Sequence, residues 1–201
     1  MKTGADAAAG DASGPDGGRA APPFVVRPAV PRDAASFLEL WGAVVAEKLY
    51  VRTETVSRSP RHYRRRFRHS WTPDEAEIVA VEGSRVVGHL NVSREESPAT
   101  RHVASLGMCV AADRRGAGIG TALLDECIRW AKAVGAEKLA LSVYPHNDRA
   151  LGLYRKFGFV EEGRLTGHSK KSIGYRDEIV MGLWLVPRPS SGRPDGPGDA
   201  V

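Results

Sequence analysis

Three glycines stand within five residues, Gly116, Gly118 and Gly120, in the stretch DRRGAGIGTALL (113–124), where a strand-like run gives way to a helix-like one. A glycine inside a helical turn costs about 1 kcal/mol relative to alanine, because it loses more conformational freedom on folding. A compensating use is therefore expected here. A glycine-rich turn that opens a helix leaves several backbone N–H groups without an intrahelical partner. Together with the positive end of the helix dipole, those donors suit a phosphate or pyrophosphate, and the missing Cβ atoms let an anion approach the backbone. Spacing excludes two common phosphate binders. A GxGxxG dinucleotide fingerprint needs a third glycine where Thr121 stands, and a GxxxxGK[ST] P-loop needs a lysine that is absent.

What remains is Arg115-x-x-Gly118-x-Gly120 between a strand and an amphipathic helix. This pattern resembles the acetyl-CoA-binding signature of the GCN5-related N-acetyltransferase (GNAT) superfamily: Arg or Gln, two residues, Gly, one residue, then Gly or Ala. Downstream, LSVYPHNDRALGLYRKFGF (141–159) is similar to the superfamily's second motif, in which an asparagine opens a helix and a tyrosine follows seven residues on. Here these are Asn147 and Tyr154, close to two turns apart and so on one helix face. The similarity runs from Phe24 to Leu185 and is weakest before Glu77.

The resemblance implies that the backbone amides of Arg115, Gly116, Ala117, Gly118, Ile119, Gly120 and Thr121 cradle the pyrophosphate of coenzyme A. It further implies that the strand edge at Met108, Cys109 and Val110 bonds the pantetheine arm, with one amide polarising the thioester carbonyl. Asn147 would contact the cofactor, and Tyr154 would lie near the sulfur. Acyl transfer to an amine needs a neutral amine, an oriented carbonyl, donors for the oxyanion and a proton for the departing thiolate. A phenol of ordinary pKa about 10 stays protonated at neutral pH and can donate to a thiolate whose conjugate acid has pKa about 8.5, which makes Tyr154 the expected general acid.

Relatives often carry a glutamate base on the strand before the glycine loop, near where HVASLG offers Ser105 and His102 instead. Glu54, with Glu47 as the second choice, lies in the segment that forms the acceptor wall in such folds, and Glu54 is the expected base. His89 and His102 read as strand residues with structural roles. Cys109 has no His/Asp pattern beside it to support an acyl-cysteine, so direct attack by the amine is expected.

These residues need a scaffold, and the periodicities supply one. FVVRPAV (24–30) reads as a strand, and Phe37, Leu40, Trp41, Val44 and Val45 recur at helical spacing. Ser59-Pro60 reads as an N-cap and first helical residue for RHYRRRFRH (61–69), whose Tyr63 and Phe67 would face inward while its five arginines face solvent. EIVAVEG (77–83) and RVVGHLNVSRE (85–95) form a hairpin across Gly83-Ser84. A strand follows over 100–112, then a helix through Ile119, Leu123, Cys127, Trp130, Ala131 and Val134 that Gly135 stops. A strand (138–145), a helix closed by Gly158, and strands at 159–165 and 175–185 complete the order β, α, α, β, β, β, α, β, α, β, β. The resemblance makes this a GNAT-like α/β fold: a single domain with a mixed, mostly antiparallel central sheet flanked by helices.

With 201 residues and 42% hydrophobic content, the chain has enough apolar surface for one core. The expected domain is 24–186; residues 1–23 and 187–201, rich in Gly, Pro, Ala, Ser and Asp, are expected to be disordered tails. No secretory signal, membrane span, CxxC or HExxH is present, so the expectation is a cytoplasmic protein with no metal and no membrane partner. The net charge of +5 is concentrated in the 61–69 run. The expected function is acetyl-CoA-dependent acetylation of a primary amine, with a small amine or amino acid ahead of a protein N-terminus as acceptor. Nucleic acid is not the expected partner, and a homodimer is compatible with this reading. The alternative from another class is a non-catalytic coenzyme A-binding module that docks nucleic acid or a protein through the arginine-rich helix.

Overall fold

In the computed structural model, residues 23–188 are described. The expected tails lie outside this range, apart from Pro23, Pro187 and Arg188. The strands are β1 (Val25–Pro28), β2 (Glu75–Glu82), β3 (Arg85–Arg94), β4 (Val103–Val110), β5 (Lys138–Val143), β6 (Val160–Lys171) and β7 (Gly174–Trp184). The helices are α1 (Ala34–Ala46), α2 (Pro60–Arg66), α3 (Ile119–Ala133) and α4 (Asp148–Lys156). Their order matches the one read from the periodicities. The strands form one seven-stranded sheet in the order β1-β2-β3-β4-β5-β7-β6, and every pairing is antiparallel except β4 with β5.

Local chemistry explains the helix ends. Ser59 caps α2 by accepting from the His62 N–H at 3.4 Å, with Pro60 in the first turn. Gly135, at φ +71°, takes the left-handed position just beyond the end of α3. One face of α1 buries Phe37, Leu40 and Val44, and Phe37 meets the α2 side through an edge-on contact with Tyr63 at 4.8 Å. The inward face of α3 buries Leu123, Cys127 and Trp130, whose indole N–H donates to the Thr72 carbonyl at 2.9 Å.

Two features shape the site. β4 and β5 pair only from Val103 to Ser105 with Lys138 to Ala140, yet β4 continues to Val110 and β5 to Val143. Beyond Ser105 the two strands part, and the β4 backbone has no neighbour on that side. The second feature is the length of β6. Its segment 166–171, TGHSKK, has no apolar alternation to mark it as a strand, but a register shift between Leu165 and Ser169 carries the pairing with β7 as far as Lys171. That extension buries Ser169 and Lys171.

Candidate active site

Where β4 and β5 separate, a cavity of about 1120 Å³ opens, reaching from the glycine loop across the parted strands to the loop after α1. The loop conformation explains its glycines. Gly116 and Gly118 sit at φ +92° and +83°, a region costly for any residue with a Cβ, and a Cβ on Gly120 would stand 3.0 Å from Leu153 on α4. The consequence lies in the donors. Gly118 caps α3 without a side-chain hydrogen bond, and the N–H groups of Gly116, Gly118, Ile119, Gly120 and Thr121 have no acceptor among the described residues. All five residues line the cavity.

The other two amides of the expected cradle are committed elsewhere. The Ala117 N–H donates to the Arg114 carbonyl at 3.3 Å, and that of Arg115 to the Ala112 carbonyl at 3.5 Å. The Arg115 side chain is committed as well: it forms a two-pronged pair with Glu47 at 2.6 and 2.9 Å and lies 5.1 Å over the Tyr50 ring. Its guanidinium ties the end of α1 to the end of β4 and is not free for an anion. The cations that the sequence reading passed over are Arg149 and Lys156 on α4, which line the cavity. The Arg149 Nη1 lies 3.3 Å from where a Cβ on Gly116 would stand. Their signal was available, since both follow Asn147 on the same short helix.

Strand alternation sorts the three β4 residues. The Ala111 N–H donates to the Val87 carbonyl at 2.9 Å, and the β3–β4 register runs without a shift, so the Cys109 backbone also faces β3. Met108 and Val110 therefore turn their N–H and C=O groups to the open side, where the Val110 carbonyl accepts from Arg115 Nε at 3.3 Å. Cys109 cannot offer its amide to an arm lying in the gap. Its thiol is buried, which pushes its pKa up to about 12, so it is protonated and unreactive at neutral pH.

Asn147 caps α4, with its side-chain oxygen accepting from the Ala150 N–H at 3.3 Å, and it lines the cavity. Tyr154 sits one face-turn deeper. It is buried against Phe159, its hydroxyl has no hydrogen-bond partner among the described residues, and it borders the cavity. Burial, reinforced by the neighbouring Cys127 and Cys109 thiols, raises its pKa above the ordinary phenol value.

Glu54 is not brought to the cavity. Its carboxylate accepts from the Ser172 N–H at 3.0 and 3.1 Å and from the Ser172 hydroxyl at 2.7 Å, at the exposed β6–β7 turn. Those hydrogen bonds, with Lys171 and Lys48 nearby, hold its pKa below the usual carboxylate value, which makes it a weaker base. Glu47 is taken by Arg115, and His102 stacks on Trp184, away from the cavity. The wall instead carries two side chains that are assembled over long range. Glu178 on β7 is 1% exposed and bonded by Arg52 and by the Ser169 hydroxyl. His89 on β3 holds Glu77 through Nε2 at 2.6 Å, and Glu77 in turn binds Arg66 of the basic run. Burial raises the Glu77 pKa, but the His89 hydrogen bond and the His89 and Arg66 charges outweigh it and leave the value below normal.

The structure thus sets the open edge of β4 beside a loop of unpartnered amides. The sequence matches the Acetyltransferase (GNAT) family over residues 44–159. The chain belongs to this family. As a GNAT enzyme it is an N-acetyltransferase, with acetyl-CoA as its cosubstrate. Among curated proteins, L-amino acid N-acetyltransferase AaaT of Escherichia coli (strain K12) is 30% identical over 113 residues, covering 54% of this chain and 68% of that protein. The fold of this GNAT chain superposes on an acetyltransferase of the family from Streptococcus pneumoniae with a TM-score of 0.75, at 24% identity, over 81% of this chain and 99% of that one. It likewise matches a phosphinothricin acetyltransferase from Sinorhizobium meliloti in complex with AcCoA, with a TM-score of 0.72 at 23% identity, over 86% and 97% of the two chains.

Proposed function

We propose that this enzyme transfers the acetyl group of acetyl-CoA to the primary amine of a small molecule by direct attack, an amino acid being the favoured acceptor. The observation that carries this reading is the continuous cavity, which joins five free backbone amides at one end to a polar wall at the other. The pyrophosphate lies on the amides of Gly116 and Gly118–Thr121, with Arg149 and Lys156 offsetting its charge. The pantetheine arm runs along the open edge of β4 and accepts from Met108 and Val110, one of which polarises the thioester carbonyl. Such a donor contributes about 3–4 kcal/mol to oxyanion stabilisation in other enzymes.

The amine sheds its proton through cavity water to His89, whose ring is oriented by Glu77 and whose second nitrogen has no partner among the described residues. The amine nitrogen then attacks the carbonyl carbon, and the C–S bond breaks as the oxyanion collapses. Tyr154 donates its proton to the departing sulfur, and the proton that the acylated nitrogen then sheds returns through cavity water to the Tyr154 phenolate. With the Cys109 thiol protonated, no acyl-enzyme is needed. The relatives' names support a small acceptor, since AaaT is an L-amino acid N-acetyltransferase. Thiol release from acetyl-CoA, followed with a panel of amino acids, small amines and peptide N-termini, tests this reading. Turnover confined to peptides would refute a small acceptor; acetyl-CoA binding with no turnover of any amine would refute the reaction.

A further inference from the structure

Opposite the amide loop, the cavity wall is built from four segments distant in sequence: the loop after α1, the end of β5, the end of β6 and the start of β7. Their register explains why they meet. Val143 pairs with Ile179 at the end of β5, which brings Tyr144, the next residue, to the same part of the cavity lining as Glu178. Glu178 accepts from Arg52 Nε at 2.7 Å and from Arg52 Nη2, and its Oε1 also accepts from Ser169. Lys171 Nζ donates to the Lys48 and Val51 carbonyls at 2.9 and 2.8 Å and stands 5.7 Å over the Tyr144 ring. His146 stacks on that ring at 5.6 Å and bonds the Leu49 carbonyl at 3.0 Å. The loop and Tyr144 are thus fixed in place.

The groups left over in this wall are donors. The carboxylate of Glu178 accepts three hydrogen bonds, whereas Nη1 of Arg52 has no acceptor among the described residues, and the Arg52 side chain is 59% exposed. Tyr144 lines the cavity at 3% exposure, and its hydroxyl is the buried side-chain polar atom that finds no partner among the described residues. A buried hydroxyl without a partner is disfavoured, and proteins rarely keep one without a use. Arg52 is paired with Glu178 as Arg115 is with Glu47, and Lys171 lies near Glu54 rather than Glu178, so what distinguishes Arg52 is its unoccupied nitrogen. A guanidinium N–H edge and a phenol O–H converging on one cavity offer two donors, which suit a carboxylate.

We propose that Arg52 and Tyr144 form a subsite for the carboxylate of the acceptor, so that the enzyme selects amines that also carry a carboxylate. Glu178 is a positioning residue that holds the Nε and Nη2 nitrogens of Arg52, Ser169 holds Glu178 in turn, and Nη1 is left for the acceptor. The planar fork of arginine suits this task, since one edge can be anchored while the other receives a second carboxylate. The subsite rests on the acetyl-transfer reading above, and it names what that reading left open: the group beside the amine.

The test is steady-state thiol release at saturating acetyl-CoA with matched acceptors, each an L-amino acid, its carboxamide and the corresponding decarboxylated amine. The wild-type enzyme is expected to prefer the acids in kcat/KM by about 100-fold, the upper end of the loss when a buried polar group goes unpaired. In Tyr144→Phe, KM for the acids should rise about tenfold, and the acid-to-amide preference should shrink by a similar factor. Arg52→Gln should shrink it further, and Arg52→Lys should restore part of it. Urea melts add a second readout, because Tyr144→Phe removes an unpartnered hydroxyl and should be no less stable than wild type. A clear loss of stability would mean the hydroxyl has a structural partner, and it would overturn the assignment. Equal use of acids and amides by wild type, or an undiminished preference in both variants, would also overturn it while leaving acetyl transfer intact. If no acceptor turns over, the reaction reading fails by itself. Calorimetric binding of the acids in the presence of CoA then decides the subsite: weakened in Tyr144→Phe and Arg52→Gln supports it, unchanged refutes it.

Discussion

Replacing Gly118 by valine tests the amide cradle at its hinge. Gly118 holds φ +83° and is the cap residue from which the free N–H groups of α3 fan into the cavity. A β-branched residue there bears strain of about 1–3 kcal/mol, so the backbone will relax toward negative φ. Nothing lies within 4 Å of a Cβ at this position, so the cost is conformational rather than steric. Relaxation swings the Gly118 and Ile119 amides off their common focus. A hydrogen bond to a charged group contributes about 1.5–3 kcal/mol, so losing two weakens acetyl-CoA binding by about 3–6 kcal/mol. At about 1.4 kcal/mol per decade, that is roughly two to four orders of magnitude in Kd. Calorimetry with acetyl-CoA measures the affinity, and urea melts of the same variant should show only the strain of about 1–3 kcal/mol. Acetyl-pantetheine, which lacks the pyrophosphate, is the internal control and should lose far less. A folded Gly118→Val protein that binds acetyl-CoA within about threefold of wild type, on a scale where tenfold is about 1.4 kcal/mol, would refute the cradle.

Three further outcomes follow from the same geometry. Tyr154→Phe should lower kcat by about 100-fold with little change in acetyl-CoA affinity, as befits a proton donor rather than a binding group, and a kcat near wild type in stopped-flow thiol release would remove it from the mechanism. His89→Gln should lower kcat/KM at neutral pH by at least about tenfold with little change in acetyl-CoA affinity, and an unchanged kcat/KM would show that the proton leaves by another route. Glu77, buried between His89 and Arg66, has a folded pKa below its unfolded value of about 4.3, so its stabilisation is present above that value and is lost as pH falls through the folded pKa. Glu77→Gln should therefore cost about 2–3 kcal/mol at neutral pH, somewhat less than breaking a fully buried pair because Arg66 keeps contact with water, and should flatten the acid dependence of the urea midpoint below pH 4.

Where the sequence was legible, the chemistry is local. The order of eleven strands and helices follows from periodicities and from punctuation such as Ser59-Pro60, Gly83-Ser84 and Gly135, each of which acts within a few residues of itself. The proposed cradle is legible for the same reason: its donors are backbone groups within six residues of one another, and Asn147 and Tyr154 belong to one short helix and its cap. Even there, only tertiary structure shows which amides are free, since Ala117 and Arg115 commit theirs to the turn and Cys109 turns its backbone to β3.

The acceptor wall has the opposite construction. Arg52 meets Glu178 across 126 residues, Arg115 meets Glu47 across 68, and Glu54 meets Ser172 across 118. No spacing in the chain encodes such contacts; they depend on the parting of β4 from β5 and on a register shift inside β6 that no apolar alternation announces. Glu54 and Glu178 make the contrast concrete. Both are glutamates bonded to a serine near the β6–β7 hairpin, but the hairpin register turns Glu178 inward beside Tyr144, while Glu54 is held at the outer turn. The position of Glu54 in the chain does not show that its carboxylate turns to Ser172 and away from the cavity. In the proposed subsite this makes strand register decisive: a one-residue slip of β6 against β7 would turn Ser169 away from Glu178 and leave the guanidinium of Arg52 less firmly held, with the amide loop untouched.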